Sequence, residues 1–231
     1  MNKFKIISFD ADDTLWINET YYQDIEKEFI SMLAKYSDSA SVTDAIHKSE
    51  IDNLEIYGYG AKGFMLSMLE TALEVSNGTV SAKDLNKIIK MGRGLINESI
   101  VLIDGVKETL EKLTTAGYKL IMATKGDLLD QQRKLKKSGL EKYFDHIEIM
   151  SYKTEKDYLD LVKHLGVMPD EFMMIGNSMK SDILPILKIG GYGVHVPFHT
   201  TWAHELIDNI GKQEKLWVVE HITEVTEILE V

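Results

Sequence analysis

Two hydrophobic rhythms alternate along the chain. Residues 4 to 9, FKIISF, form a short β-branched and aromatic run suited to a buried strand. From about Glu19 to Glu98 the apolar positions instead recur three and four apart, in YYQDIEKEFISMLAKY, VTDAIHKSEIDNLEIYG, AKGFMLSMLETALEVS and SAKDLNKIIKMGRGLINES. Breaks at SDSAS, GYG and SNGT separate these stretches, which predicts four helices and no strand, with Thr43 and Ser81 at N-cap positions. The spacing of Phe64, Met65, Met68 and Leu69 gathers them on one face for packing, with substrate contact a secondary role. Gly58, Gly60 and Gly63 read either as glycines of an ordinary loop or as a loosened cap segment that opens and closes.

From Asp104 the strand texture returns and alternates with helical periods. DGVKETLEKLTTAG reads as a helix, YKLIMAT as a strand, LLDQQRKLKKSG as a helix and FDHIEIM as a strand. TEKDYLDLVKHLG follows as a helix, EFMMIG as a strand, and SDILPILKIGG as a helix interrupted near Pro185. YGVHV and LWVVE complete the strands, and ITEVTEILE is expected to form a closing helix. Alternation of this kind predicts an α/β fold, a doubly wound, Rossmann-like parallel sheet covered by helices on both faces. The all-helical stretch is an insertion after the first strand. The expected division is a core of residues 1–16 and 100–231 with a helical cap at 17–99.

At 231 residues, with 44% hydrophobic and 27% charged positions, the chain is long and apolar enough to bury a sizeable core. It contains no cysteine, which excludes disulfides, thiolate zinc sites and cysteine nucleophiles together. No apolar run approaches the roughly 18 residues of a membrane span. The run before Asp10 is too short for a secretory signal, so a cytoplasmic location is expected. A net charge of −11 disfavours nucleic acid as a partner. It leaves room for a small anionic substrate wherever a bound cation and local lysines reverse the field.

The chemistry concentrates at strand ends. SFDADDTLWI puts Asp10, Asp12 and Asp13 within four positions just after the first strand. Such a cluster is either an Asx-type turn or a site for a hard divalent cation, which relieves carboxylate repulsion and prefers oxygen donors. Thr124 in MATKG, Lys153 in SYKTEKDY, and Asp182 in IGNSMKSD likewise follow the carboxyl ends of predicted strands, where doubly wound sheets hold their ligands. Convergence of four strand ends favours one cleft. HVPFHTTWAHE carries His195, His199 and His204, but Pro197 keeps the first two off a common helical face, so a rim loop is expected rather than zinc. Trp16 is expected where core and insertion join.

DADDTL resembles the first motif, DxDxT, of the haloacid dehalogenase superfamily. ATKG falls where that family's second motif has Thr or Ser, Lys153 where its third has a basic residue, and GNSMKSD where its fourth has metal-binding acids. The helical insertion between the first and second motifs resembles the type-one cap, so the likeness covers the whole chain. It implies a Mg²⁺-dependent phosphatase in which Asp10 is the nucleophile and forms an aspartyl-phosphate. Asp12 is then the general acid and base, and Thr124 and Lys153 hold the phosphoryl oxygens. Asp10, the backbone carbonyl of Asp12, Asp182 and Asn177 are the implied metal set. The implied partner is a small phosphorylated metabolite, of the sugar phosphate or nucleoside monophosphate class. Because Asp12 is a carboxylate, ester hydrolysis is favoured over 2-haloacid dehalogenation, which has no leaving alkoxide to protonate.

Three positions depart from the pattern. Asn177 stands where many relatives have an acid, removing one negative charge and weakening the implied metal site. Lys125 replaces the usual asparagine after Thr124, which puts a second cation either near the phosphate or at the surface, the surface being favoured. The third motif lacks its proline, which makes Lys156 a competitor to the preferred Lys153. Two other classes stay open. A phosphoreceiver-type module shares the acidic pair, hydroxyl and lysine, although its phosphorylated aspartate follows a later strand. A non-catalytic phospho-ligand-binding protein is suggested by Asn177.

Overall fold

A computed structural model describes residues 3–207, 211 and 213–231. Its centre is a six-stranded sheet with every pairing parallel, in the order β3-β2-β1-β4-β5-β6. The strands are β1 (Ile6–Phe9), β2 (Lys119–Lys125), β3 (His146–Met150), β4 (Phe172–Gly176), β5 (Tyr192–His195) and β6 (Leu216–Val218). The chain steps outward from β1 to β3, then returns to place β4 on the other flank of β1. The order therefore reverses between β1 and β4, the kind of switch point beyond whose carboxyl ends doubly wound sheets hold their ligands.

Successive side chains on each strand point to opposite faces, and both faces are apolar. Ile7, Phe9, Leu120, Met122, Met173 and Ile175 share one core with Val106, Leu110 and Leu113 of α5 (Val106–Thr115) and Val225 of α9 (Val225–Ile228). Ile6, Ile121, Ala123, Phe172 and Met174 face the other way, onto Tyr158, Leu161 and Val162 of α7 (Glu155–His164) and Ile186 of α8 (Leu184–Lys188). Trp16 is fully buried within the first of these clusters.

The chain divides into two compact units, one of Met1–Glu19, Ile100–Lys125 and Gln131–Val231, the other of Thr20–Ser99 with Gly126–Asp130. The second unit carries α1 (Glu19–Leu33), α2 (Ser39–Tyr57), α3 (Ala61–Val75) and α4 (Ala82–Asn97). Phe29, Leu33, Val42, Ile46, Phe64, Met68 and Ile88 form its own apolar cluster, with Met65 and Leu69 packed against it. Ser81 caps α4 by accepting from the Asp84 amide. Thr43 does not cap α2. Asp38 does, through the Ser41 amide, and Thr43 lies inside the helix with its hydroxyl on the Ser39 carbonyl. The glycines of this region include one required by close packing: a Cβ on Gly63 would meet the Gly58 carbonyl oxygen at 2.7 Å.

Two predicted helices are shorter than their patterns. SDILPILKIGG resolves into a π-helical turn, Met179–Ile183, followed by α8, in which Pro185 occupies the first turn, where no amide is needed. ITEVTEILE forms a 3₁₀ turn, Ile222–Glu224, and then the single turn of α9.

Candidate active site

Register places the first aspartate. Phe9 pairs with Met122 and Ile175, so Asp10 is the first residue beyond the paired part of β1, and its amide donates to the Ile175 carbonyl at 2.9 Å. Its carboxylate is almost wholly buried and accepts from Lys153 Nζ at 2.5 Å on Oδ1 and from the Thr14 hydroxyl at 3.2 Å on Oδ2. Lys153, beyond the end of β3, reaches across with a side chain only 1% exposed. The same ammonium lies 2.6 Å from Asp182 Oδ1, so one cation bridges two carboxylates that are 172 positions apart in sequence. Lys156 instead pairs with Asp160 in solvent, leaving the bridging position to Lys153.

Asp182 is held from the β4 side. The π-helical turn that carries it is capped by Ser178, whose amide donates to Asp182 Oδ2 at 2.9 Å and whose hydroxyl accepts from the Ser181 amide. Asn177 joins the two strand ends: its amide donates to Thr14 Oγ1 at 3.0 Å, and its side-chain oxygen lies 3.2 Å from the same hydroxyl. His195 Nε2 lies 2.9 Å from the Asn177 carbonyl oxygen. Thr124, at the end of β2, is buried with its hydroxyl on the Lys125 carbonyl at 3.3 Å.

Charge counting accounts for the electrostatics. Burial pushes the Asp10 carboxyl up to about 7, with Asp182 adding to the effect, and Lys153 offsets only part of it because its single charge serves both acids. Burial works against the Lys153 ammonium, yet Asp10 and Asp182 together hold its pKa above the ordinary lysine value. Two anions against one cation leave this buried cluster short of positive charge. The available donors are oxygens, from Asp10, Asp182 and Asn177, which suits a hard cation better than a soft one. Among the described residues no cluster of three or more His, Cys, Asp or Glu forms a metal cage. A cation here would rest on two carboxylates, an amide and carbonyl oxygens, a sparse set of the kind Mg²⁺ accepts while keeping water or phosphate oxygens in its other positions.

The other two aspartates have separate employment. Asp12 Oδ1 accepts from the Trp16 indole at 2.6 Å and from Lys134 Nζ at 2.9 Å, and Oδ2 accepts from the Gln131 amide at 2.8 Å. Asp13, at φ 61°, accepts from the Asn18 and Glu19 amides and so satisfies the start of α1. Burial raises its carboxyl to about 7, those amide bonds pulling the other way. The triplet thus holds no Asx-type turn: Asp13 bonds amides five and six positions on, while Asp10 joins the bridge through Lys153.

Lys125 is not a surface residue. Its side chain is 16% exposed and pairs with Glu205 at 2.5 Å, while Ser181 accepts a second bond from it at 2.8 Å. Glu205 also accepts from the hydroxyls of Ser178 and Ser181. Burial opposes the charge of Glu205, but Lys125 and the two hydroxyls hold its carboxyl down at about 2. Neither Glu205 nor Thr14 was assigned a role from sequence, and nor were Gln131 and Lys134. Of these, only Thr14 lies inside a motif that could have flagged it.

Comparison with known proteins gives a consistent picture. A family model for haloacid dehalogenase-like hydrolases matches residues 4–190. A haloacid dehalogenase-like family hydrolase from Xanthomonas campestris superposes with a TM-score of 0.88 at 33% identity, over 99% of this chain and 92% of that one. A hydrolase of this fold from Bacillus subtilis, solved with bound magnesium, gives a TM-score of 0.66 at 16% identity over 99% of this chain and all (100%) of its own. The glyceraldehyde 3-phosphate phosphatase of Pyrococcus furiosus is 21% identical over 100% of this chain and 95% of its own length. With its motifs ordered along the chain and Asp10, Lys153 and Asp182 joined beyond the strand ends, the protein belongs to the haloacid dehalogenase-like hydrolases.

Proposed function

We propose that this hydrolase is a Mg²⁺-dependent phosphatase acting on a small phosphate monoester. The observation that carries the reading is the buried bridge Asp10–Lys153–Asp182, beyond the strand ends where the strand order reverses. A buried carboxylate beside a buried ammonium is equipped to attack an anionic phosphorus, because the ammonium offsets the charge that both partners bring. Asp10 Oδ forms the new bond to phosphorus as the bond from phosphorus to the ester oxygen breaks. Asp12 gives its proton to the departing oxygen, then takes one from the water that attacks the aspartyl-phosphate, releasing inorganic phosphate and restoring Asp10. Thr124 and Lys153 hold the phosphoryl oxygens.

Mg²⁺ would be held by Asp10, Asp182, Asn177 and the Asp12 carbonyl, and when bound it supplies positive charge against the anionic substrate. The charge deficit at Asp10 and Asp182 supports this, as does the magnesium bound by the Bacillus subtilis relative. The names of curated relatives, glyceraldehyde 3-phosphate phosphatase and N-acylneuraminate-9-phosphatase, support a phosphorylated sugar-like metabolite as the substrate class. The retained Asp12 carboxylate favours ester hydrolysis over dehalogenation.

The test is hydrolysis of p-nitrophenyl phosphate, with and without Mg²⁺, by wild type and Asp10→Asn. Mg²⁺-dependent turnover that falls by at least about 10³-fold in the variant is expected for loss of a nucleophile. Equal rates in the two proteins would remove Asp10 from the reaction.

A further inference from the structure

The carboxylate that binds Lys125 lies beyond the stretch matched by the family model, which ends at residue 190. Glu205 closes the 3₁₀ turn Ala203–Glu205, and the π-helical turn that carries Asp182 reaches it through Ser178, Lys180 and Ser181. Ser178 and Ser181 donate their hydroxyls to Glu205 Oε2, the latter at 2.6 Å, and Lys180 Nζ donates to the His204 carbonyl at 2.7 Å. From the other side, Lys125 binds Glu205 Oε1 at 2.5 Å; it is the last residue of β2, ahead of α6 (Leu128–Ser138). β2 and β4 are the two neighbours of β1 in the sheet. Glu205 therefore joins the strand ends on either side of the strand that leads to Asp10.

The hydroxyl hydrogens decide what this contact does. A serine hydroxyl has one hydrogen to give, and an ionised carboxylate only accepts. Both hydrogens therefore point at Glu205. That leaves the Ser178 oxygen to accept from the Ser181 amide at 3.0 Å, and the Ser181 oxygen to accept from Lys125 at 2.8 Å. With its side chain fixed in this way, Ser178 presents its own amide to Asp182 Oδ2 at 2.9 Å, while Lys153 holds Oδ1. A π turn of five residues, Met179–Ile183, has few internal bonds with which to keep such an aim, so bonds from outside set its shape.

We propose that Glu205 is a positioning residue for the metal site: through the Ser178 hydroxyl it aims the Asp182 carboxylate, and through Lys125 it ties that aim to the end of β2. The proposal rests on the assignment of Asp182 to Mg²⁺ made above. Groups that orient a metal ligand from behind typically change metal affinity by about 10- to 100-fold. Glu205 acts one contact further back than the Ser178 amide, so the lower end of that range applies. A glutamine at 205 keeps the shape but must turn its NH₂ toward the serines or toward Lys125, and either orientation breaks the pattern of hydrogens.

Mg²⁺ alone, titrated calorimetrically into the metal-free protein, tests this without substrate or turnover. Glu205→Gln is expected to raise the Mg²⁺ dissociation constant about tenfold, and Ser178→Ala to raise it by a similar factor. Both changes break one chain of contacts, so the double variant should bind no more than about threefold more weakly than either single one. Losses that multiply to about a hundredfold would mean that the two residues act separately, and would overturn the proposal. So would wild-type or tighter affinity in either variant, each checked for folding by its thermal transition. If Glu205→Gln fails to fold, Glu205→Asp takes its place, keeping a charge for Lys125 while falling a methylene short of the serines. Asp182→Asn separates the two readings. If wild type binds no Mg²⁺, or Asp182→Asn binds it as tightly as wild type, the metal assignment is wrong and the role of Glu205 goes with it. Weakened binding in Asp182→Asn beside unchanged binding in Glu205→Gln counts against Glu205 alone.

Discussion

At the scale of single residues, three neighbouring aspartates do three different jobs, and the difference lies in what reaches each carboxylate. Asp10 meets an ammonium shared with Asp182, Asp12 meets indole, amide and lysine donors, and Asp13 meets two backbone amides. Gly176 shows how little freedom such a cluster has, since a Cβ there would lie 2.3 Å from Asp182 Oδ2. Gly176→Ala must therefore push that carboxylate off the Ser178 amide and away from Lys153. Overpacking of this kind costs about 1–3 kcal/mol. The expected outcome is a lower midpoint in urea together with at least a tenfold loss of Mg²⁺-dependent hydrolysis in the protein that remains folded. Full activity would mean that Asp182 tolerates displacement. The positions of Asp10, Lys153 and Asp182 at one site were legible in the sequence because each lies one to six residues beyond a strand end in a recognisable motif. Those of Gln131 and Lys134 were not, because a polar residue on a helix reads as solvated surface until the fold shows what it faces.

At the scale of elements, periodicity identified every strand of the sheet, since runs such as IISF and FMMIG are apolar on both faces and short. It read the segments around residues 178–188 and 222–228 less well. There the chain uses π and 3₁₀ turns, whose hydrogen-bond registers leave no distinct spacing in the sequence. Lys125 was misread for a related reason: its partner Glu205 is 80 positions away, on the 3₁₀ turn Ala203–Glu205. That pair makes an acid-sensitive tie. The Glu205 carboxyl sits at about 2 against an ordinary 4.5, so its contribution is complete above about pH 4.5 and is lost as pH falls through 2. Glu205→Gln should destabilise the protein at neutral pH by on the order of 2 kcal/mol, because it removes the charged acceptor that Lys125, Ser178 and Ser181 share. Thermal unfolding of both proteins across pH 7 to 2 should show their difference shrinking below pH 4.5. A difference independent of pH would assign the effect to packing.

At the scale of the whole molecule, two apolar cores in one chain raise the question of how many cooperative units the protein contains. The sheet unit buries both of its faces under its own helices. The helical unit buries Phe29, Leu33, Ile46, Phe64, Met68 and Ile88 against one another. A contact network divided in this way implies that a lesion in one core is felt first by the amides of that core. Met68 is fully buried, and Met68→Ala removes most of its side chain from a closely packed site, a change that typically costs 2–5 kcal/mol. Hydrogen exchange should then accelerate in α2, α3 and α4 while amides of β1, β2 and β4 keep their wild-type protection. The reciprocal change, Phe172→Ala in the sheet, should expose β1 and β4 and spare the helical unit. If either substitution accelerates exchange equally throughout, the chain unfolds as a single unit and the two cores are not energetically separate. If each lesion stays local, the helical unit can be re-sequenced without weakening the sheet that holds Asp10, Lys153 and Asp182.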